Sequence, residues 1–151
     1  MKLQLLAAIA LATPLFFVSS VKAENQNDLQ KLLSTGECVK CDLAGANLSG
    51  AHLIGADLRG ANLQGANLTN ANLEGADLTG ANLEGANLTA AFVTNVNLKQ
   101  ADLDRANLTL ATINDSNVYQ ASMEDMTITD ASIYNTAIGV GGENLQIRDW
   151  D

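Results

Sequence analysis

The chain has 151 residues, 17% of them charged and 4% aromatic, with 17 acidic residues against 8 basic ones. That length allows one ordinary domain. The formal net charge of −9 argues against nucleic acid or an anionic membrane surface as a partner; it leaves solubility, a cationic partner, or mimicry of nucleic acid as its meaning.

The first element is an export signal. Met1-Lys2 is a short positive start, Leu3 to Val18 (LQLLAAIALATPLFFV) an apolar run, and Ser19 to Ala23 (SSVKA) a cleavage site with Val21 and Ala23 at the small-residue positions. The run is short for a membrane span and contains Gln4 and the only proline, Pro14, so an uncleaved anchor is the lesser reading. Cleavage after Ala23 removes Lys2 and Lys22, leaving six basic residues against seventeen acidic ones, a net −11. The expected location is the periplasm or the thylakoid lumen, with no membrane contact after cleavage.

Residues 24–40 are expected to form an N-terminal cap. Asn27 and Asp28 offer a helix start, and Leu29, Leu32 and Leu33 recur at i, i+3 and i+4, so a short helix is predicted, ending at Gly36, with its leucines covering the adjoining core.

From Cys41 the sequence changes character. Stepping by five from Leu43 gives twenty positions ending at Ile138, all apolar: thirteen Leu, four Ile, two Val and Met123. Two residues before each stands Ala in fifteen cases, the exceptions being Cys41, Val96, Ser116, Met126 and Thr136. Asn or Asp directly precedes thirteen of the twenty. A helix would scatter these leucines round its surface, and a plain strand would turn alternate ones to opposite faces. A chain that turns a corner every five residues points all of them inward. Four corners close a square coil of twenty residues, and coils stack about 4.8 Å apart as parallel strands do. Residues 41–140 supply five such coils, and 141–151 remain as a C-terminal cap or tail.

ADLRG, ANLQG, ANLTN, ANLEG and ADLTG resemble the A-(D/N)-L-x-x units of the pentapeptide-repeat family, including its exported cyanobacterial members. The resemblance covers 100 of the 128 residues after the signal. It implies an all-β solenoid, a right-handed quadrilateral β-helix of about five four-sided coils with a short capping helix. Some members of the family resemble duplex DNA and bind type II topoisomerases; many have no assigned activity.

The fifth position of the first nine repeats is Gly except at Asn70, and from Ala90 onward it is never Gly. Gly and Asn tolerate positive φ, which predicts a change of turn geometry near residue 90. In the same frame Cys38 is a central position and Cys41 the small position after it, both inward at one corner. The residues leave three readings: a structural disulfide worth about 2 kcal/mol, favoured by export, or buried free thiols, or a redox pair. Zinc lacks ligands, since the lone histidine, His52, is outward on another side.

Sorted by twenty, the outward residues make four sides. The first carries Asp42, Asp102, Glu84, Asp104 and Glu124 and is acidic, as a nucleic-acid mimic would be. The second reads Asn47, Asn67, Asn87, Asn107, Thr127 beside Ser49, Thr69, Thr89, Thr109, Thr129. Those ladders suit hydrogen bonds along the stack, or a flat face of the kind that ice-binding solenoids use. The third holds His52, Ile54, Phe92 and Tyr134, with Tyr119 round the next corner. These five are the candidates for a protein contact, Phe92 above all because it replaces the usual Asn or Asp. The frame breaks at Gly139-Val140-Gly141-Gly142; beyond it Ile147 and Trp150 are available to cover the last coil or to dock a second copy.

Catalysis lacks its parts here. No Ser, His and acid are arranged together, the paired carboxylates stand in open solvent, and no phosphate loop occurs. The expected function is therefore a non-catalytic scaffold without cofactor or metal, mediating protein–protein interaction with an unknown protein partner. The alternative is a whole-face role, acidic mimicry or an interfacial Asn/Thr side.

Overall fold

The computed structural model describes residues 25–137. The export signal, Ile138, the frame break at Gly139 to Gly142, and Ile147 and Trp150 lie outside the described residues.

Helix α1 spans Gln26–Thr35. Its cap is Asn25, whose side-chain oxygen accepts from the amides of Asn27 at 3.2 Å and Asp28 at 3.4 Å. Asn27, which the sequence offered as part of the start, lies inside the first turn and is itself a capped donor. Gly36, with φ 72°, ends the helix by donating to the Leu32 carbonyl at 2.8 Å. Leu32 is buried and Leu29 packs against the core, but Leu33 is 58% exposed. One residue further round turns the side chain by about 100° and out into solvent, so only two of the three leucines lie over the rod.

Asp28 ties the helix to the lowest turn of the rod, to which Asp42 belongs. Its Oδ2 accepts from the Asp42 amide at 2.9 Å. At equivalent positions higher up, that amide donates to a carbonyl one turn below, as Asn62 does to Cys41 at 2.8 Å. The Asp28 carboxylate stands in for the carbonyl that the lowest turn lacks.

From Glu37 onward parallel partners lie twenty residues apart: Glu37 with Asp57, Asp42 with Asn62, Asn47 with Asn67, His52 with Asn72, and so on to Asn107 with Thr127. Four five-residue units therefore make one turn. One unit shows how its five amides are satisfied. Leu63 and Gly65 donate upward to Asn82 and Glu84 (2.7 and 2.9 Å), Asn67 donates downward to Ala46 (2.9 Å), and Ala66 closes the corner to Leu63 (3.0 Å). The fifth amide, Gln64, is taken by the side-chain oxygen of Asn62 at 3.3 Å. Twelve Asn or Asp residues make this same bond to the amide two residues on. That is the physical reason for Asn or Asp before nearly every leucine: it completes the backbone accounting where no coil can. The inside is filled by the leucines and alanines, Leu43 to Leu108 being at most 4% exposed at the central positions.

The fifth residue of each unit holds positive φ whether or not it is Gly: 63–69° at Gly45 to Gly85, and 48–61° at twelve residues including Ala90, Arg105 and Leu110. The loss of glycine after residue 85 thus does not change the corner residue's backbone. Geometry does change near residue 90, but on one side only and for another reason. There the chain is extended into strands β1 (Phe92–Thr94), β2 (Thr112–Asn114) and β3 (Ser132–Tyr134), paired in parallel in that order. At these corners a hydroxyl is inserted. The Val96 amide donates to Ser116 Oγ at 3.2 Å, and Ser116 Oγ donates to the Val93 carbonyl at 2.7 Å. One coil higher the Ser116 amide donates to Thr136 Oγ1 at 3.0 Å. Ser116 and Thr136, exceptions to the alanine rule, are buried for this purpose.

Leu110 is the costly corner. A leucine at φ 61° is strained by about 1–2 kcal/mol, yet its side chain is 56% exposed and gains little from packing. Leu110→Asn, the residue found at the same corner two turns below at Asn70, is expected to stabilise the protein by about 0.5–1 kcal/mol. A rise in thermal midpoint checks this; a fall would mean that Leu110 packs in a way its exposure denies.

Candidate functional site

Cys38 and Cys41 form a disulfide, with Cα atoms 5.2 Å apart and both residues buried. It spans a corner that is also closed by the Cys41 amide on the Cys38 carbonyl at 3.3 Å. Cys38 Sγ lies 3.3 Å from the Asp28 carbonyl; a disulfide sulfur has no proton to donate, so this is a packing contact. The bridge therefore sits where α1 meets the rod, and the free-thiol reading does not hold.

The first side is less of an open carboxylate surface than its sequence suggests. Glu84 is ion-paired with Arg105 and accepts from Gln64 Nε2 at 2.6 Å. Asp104 accepts from the Ser122 hydroxyl at 2.6 Å and from the Glu124 amide at 2.8 Å. Bound along the side in this way, these groups are poorly placed to imitate a row of free phosphates. On the second side the ladder bonds form in part: Asn67 Nδ2 donates to Asn47 Oδ1 at 3.2 Å, and Asn107 Nδ2 to Thr89 Oγ1 at 3.2 Å. The hydroxyls of Thr69, Thr89 and Thr109 donate to the Asn beside them at 2.6–2.7 Å, so they are turned along the side rather than away from it.

The fourth side carries Asp57, Arg59, Asp77 and Lys99. Arg59 grips Asp57 with two bonds, of 2.8 and 2.6 Å. The side-chain hydrogen bond from Arg59 holds the Asp57 carboxyl below the usual carboxylate range and lifts the guanidinium correspondingly. The pair is largely in solvent and contributes little to stability.

The five contact candidates are all exposed, and the structure divides them. Tyr119, 63% exposed, is on the fourth side beside Lys99, whose Nζ is 6.0 Å from the ring centroid. His52, Ile54, Phe92 and Tyr134 share the third side, Ile54 and His52 in its lowest turn, Phe92 two turns up and Tyr134 two turns higher still. Phe92 replaces Asn because β1 is extended there and the column continues as Thr112 and Ser132. The absence of Asn thus has a local cause, while the size and exposure of the ring (52%) do not. Leu110 adds a further exposed apolar group at the corner between the second and third sides. Its five-residue period hides it, since the corner position is otherwise polar or small.

Charge separates the four sides into two pairs. Of the sixteen Asp, Glu, Lys and Arg between Glu37 and Ala137, thirteen stand on the first and fourth sides. Only Glu74, Asp115 and Asp130 stand on the second and third, which share one edge. The exposed Ile54, Phe92, Leu110 and Tyr134 all lie on this half, which carries few charges. Among the described residues no three His, Cys, Asp or Glu side chains are grouped to hold a metal ion, and no helix is long and apolar enough to cross a membrane.

The family model for pentapeptide repeats matches in eight copies, over residues 41–80, 56–92, 66–105 and 94–130. Among solved structures, the pentapeptide repeat protein Rfr23 from the cyanobacterium Cyanothece 51142 is 29% identical at TM-score 0.54, with 74% of this chain and 97% of that chain covered. The pentapeptide repeat protein alr5209 from Nostoc Pcc 7120 is 26% identical at TM-score 0.41, over 73% of this chain and 95% of that one. A pentapeptide repeat protein of the Arabidopsis thaliana thylakoid lumen is 28% identical at TM-score 0.27, over 76% and 70%. No curated protein matches the chain. The repeat match over more than half the sequence, together with the twenty-residue register, makes this chain a member of the pentapeptide-repeat family, with the right-handed β-helix solenoid of that family.

Proposed function

We propose that the protein is an exported, non-catalytic rod of five coils, closed at its lower end by α1, that mediates protein–protein interaction through its third side. The observation that carries this reading is the partition of charge. Thirteen of sixteen charged residues occupy two sides, and the exposed Ile54, Phe92 and Tyr134 stand on a third that is nearly free of charge. Solubility alone would not sort charges by side. Interfaces that release water favour aromatic and apolar groups without charge at their centre. The signal-like Met1 to Ala23 and the buried Cys38–Cys41 disulfide support an oxidising compartment, the periplasm or the thylakoid lumen.

Phe92→Thr tests the reading, because threonine already occupies the same column at Thr112 and suits an extended strand. It is expected to lower capture of the protein's cross-linked partner at least about tenfold, the loss of one central anchor, while the thermal midpoint stays within about 2 °C. Full capture by the variant would remove the third side from consideration.

A further inference from the structure

The third side bears a pattern that singles out one partner. Its first column is His52, Asn72, Phe92, Thr112, Ser132, and its other column is Ile54, Glu74, Thr94, Asn114, Tyr134, one residue of each per coil. Phe92 and Thr94 stand at the middle level. Ile54 and Tyr134 stand two levels below and two levels above them, in the same column.

We propose that the third side pairs with the third side of a second copy, the rods antiparallel about a twofold axis at the level of Phe92. This rests on the reading of that side as a protein contact. A twofold axis lying in the interface and crossing the rod keeps each column and reverses the levels. Phe92 then meets Phe92 of the second copy at the axis, and Ile54 meets Tyr134, twice. His52 faces Ser132, Asn72 faces Thr112, and Thr94 faces itself. Glu74 faces Asn114, a carboxylate opposite an amide donor. Every large apolar group on the side thus finds an apolar group opposite it, as a self-complementary interface requires. At the two edges Asp115 falls opposite Gly75, Asp130 opposite Gly50, and Leu110 opposite Asn70. The one like-charge approach in this register is Glu74 beside Asp115 of the second copy, at the rim. The acidic first sides of both rods face away from each other, and the two fourth sides, on which Arg59 and Lys99 stand with Asp57 and Asp77, come to lie along one flank. A cationic partner would be drawn to those sides instead.

Five levels about 4.8 Å apart make a short interface, at the low end of specific contacts, so the pair dissociates on dilution. Sedimentation velocity of the protein from about 5 μM to about 1 mM, a range spanning weak affinities, is expected to show a concentration-dependent monomer and dimer. Thr94→Glu places two carboxylates on the axis and is expected to give monomer throughout. Thr94→Lys does the same with two ammonium groups. An equimolar mixture of the two variants is expected to recover the dimer, and Glu74→Gln to strengthen it about threefold or more, with circular dichroism unchanged in every case. A mixture that stays monomeric, or a Thr94→Glu protein that still dimerises, overturns the register. A wild-type protein monomeric at every concentration overturns self-pairing. In that event capture of another protein that is lost in Phe92→Thr leaves the third side as a contact surface, and capture that survives it removes both readings.

Discussion

Leu83→Ala is expected to cost about 3–5 kcal/mol, the largest single loss in the rod. Leu83 is wholly buried, in the interior of the stack. Its own amide is bonded to Asp102 at 2.7 Å above, and the amide of Leu63 below is bonded in turn to Asn82 at 2.7 Å. Backbone on both levels is thus pinned, and the cavity cannot collapse as one beneath a helix free to shift does. The measurable result is a fall in denaturant midpoint with little change in slope. Because each coil touches only its neighbours, loss of amide protection should be greatest in the columns next to residue 83 and fade with distance along the rod. A loss below about 1 kcal/mol would mean that the leucine stack is softer than its burial implies.

Ser116→Ala is expected to cost about 2–3 kcal/mol for a change of one oxygen atom. The Ser116 hydroxyl accepts from the Val96 amide and donates to the Val93 carbonyl, so its removal leaves a buried donor and a buried acceptor without partners. Ordinary corners have no such exposure, since Ala76 bonds directly to Leu73 at 2.9 Å. Ser116→Thr keeps the oxygen, as Thr136 does one coil higher, and should retain most of the stability. Thermal melts of the two variants side by side separate the hydroxyl from the volume it fills. Equal melting of Ser116→Ala and the parent would show that the corner can close by itself.

Legibility in the residues alone tracks the contents of a five-residue period. The inward set, the square coil, the short helix and the closeness of Cys38 to Cys41 are properties of a single unit or of adjacent units, and they are legible. The hydroxyl-bridged corners are not. They depend on Val96, Ser116 and Thr136, three residues twenty apart that become neighbours only when coils stack. The cap residue Asp28 was hidden for the same reason, because its partner Asp42 is defined by an amide left over at the end of the stack. The Asn and Asp before each leucine were visible as a pattern, but their purpose appears only when the four backbone-paired amides of a unit are accounted for. The contact surface was half legible. Phe92 and Tyr134 stand out one at a time, whereas the sorting of charge by sides, and the equal distances of Ile54 and Tyr134 from Phe92, emerge from the register. Leu110 escaped because the corner position carries no signal in the period beyond smallness or polarity.

The twenty-residue register also sets a rule for how such a gene can lengthen or shorten. Duplication or loss of one five-residue unit keeps every leucine inside and the ordinary corners bonded, so the product folds, except that a change between Val96 and Thr136 also parts a corner amide from the hydroxyl that serves it. It nevertheless rotates everything beyond the change by a quarter turn, and each column then continues on a different side. Inserted between Phe92 and Tyr134, fifteen nucleotides would carry Tyr134 off the third side while leaving the core sequence pattern intact. Only steps of sixty nucleotides preserve both. Folding is thus tolerant of a mutational step four times finer than the surface can accept. Surviving length variants of this protein should fall into classes separated by whole coils if its sides matter, and by single units if they do not.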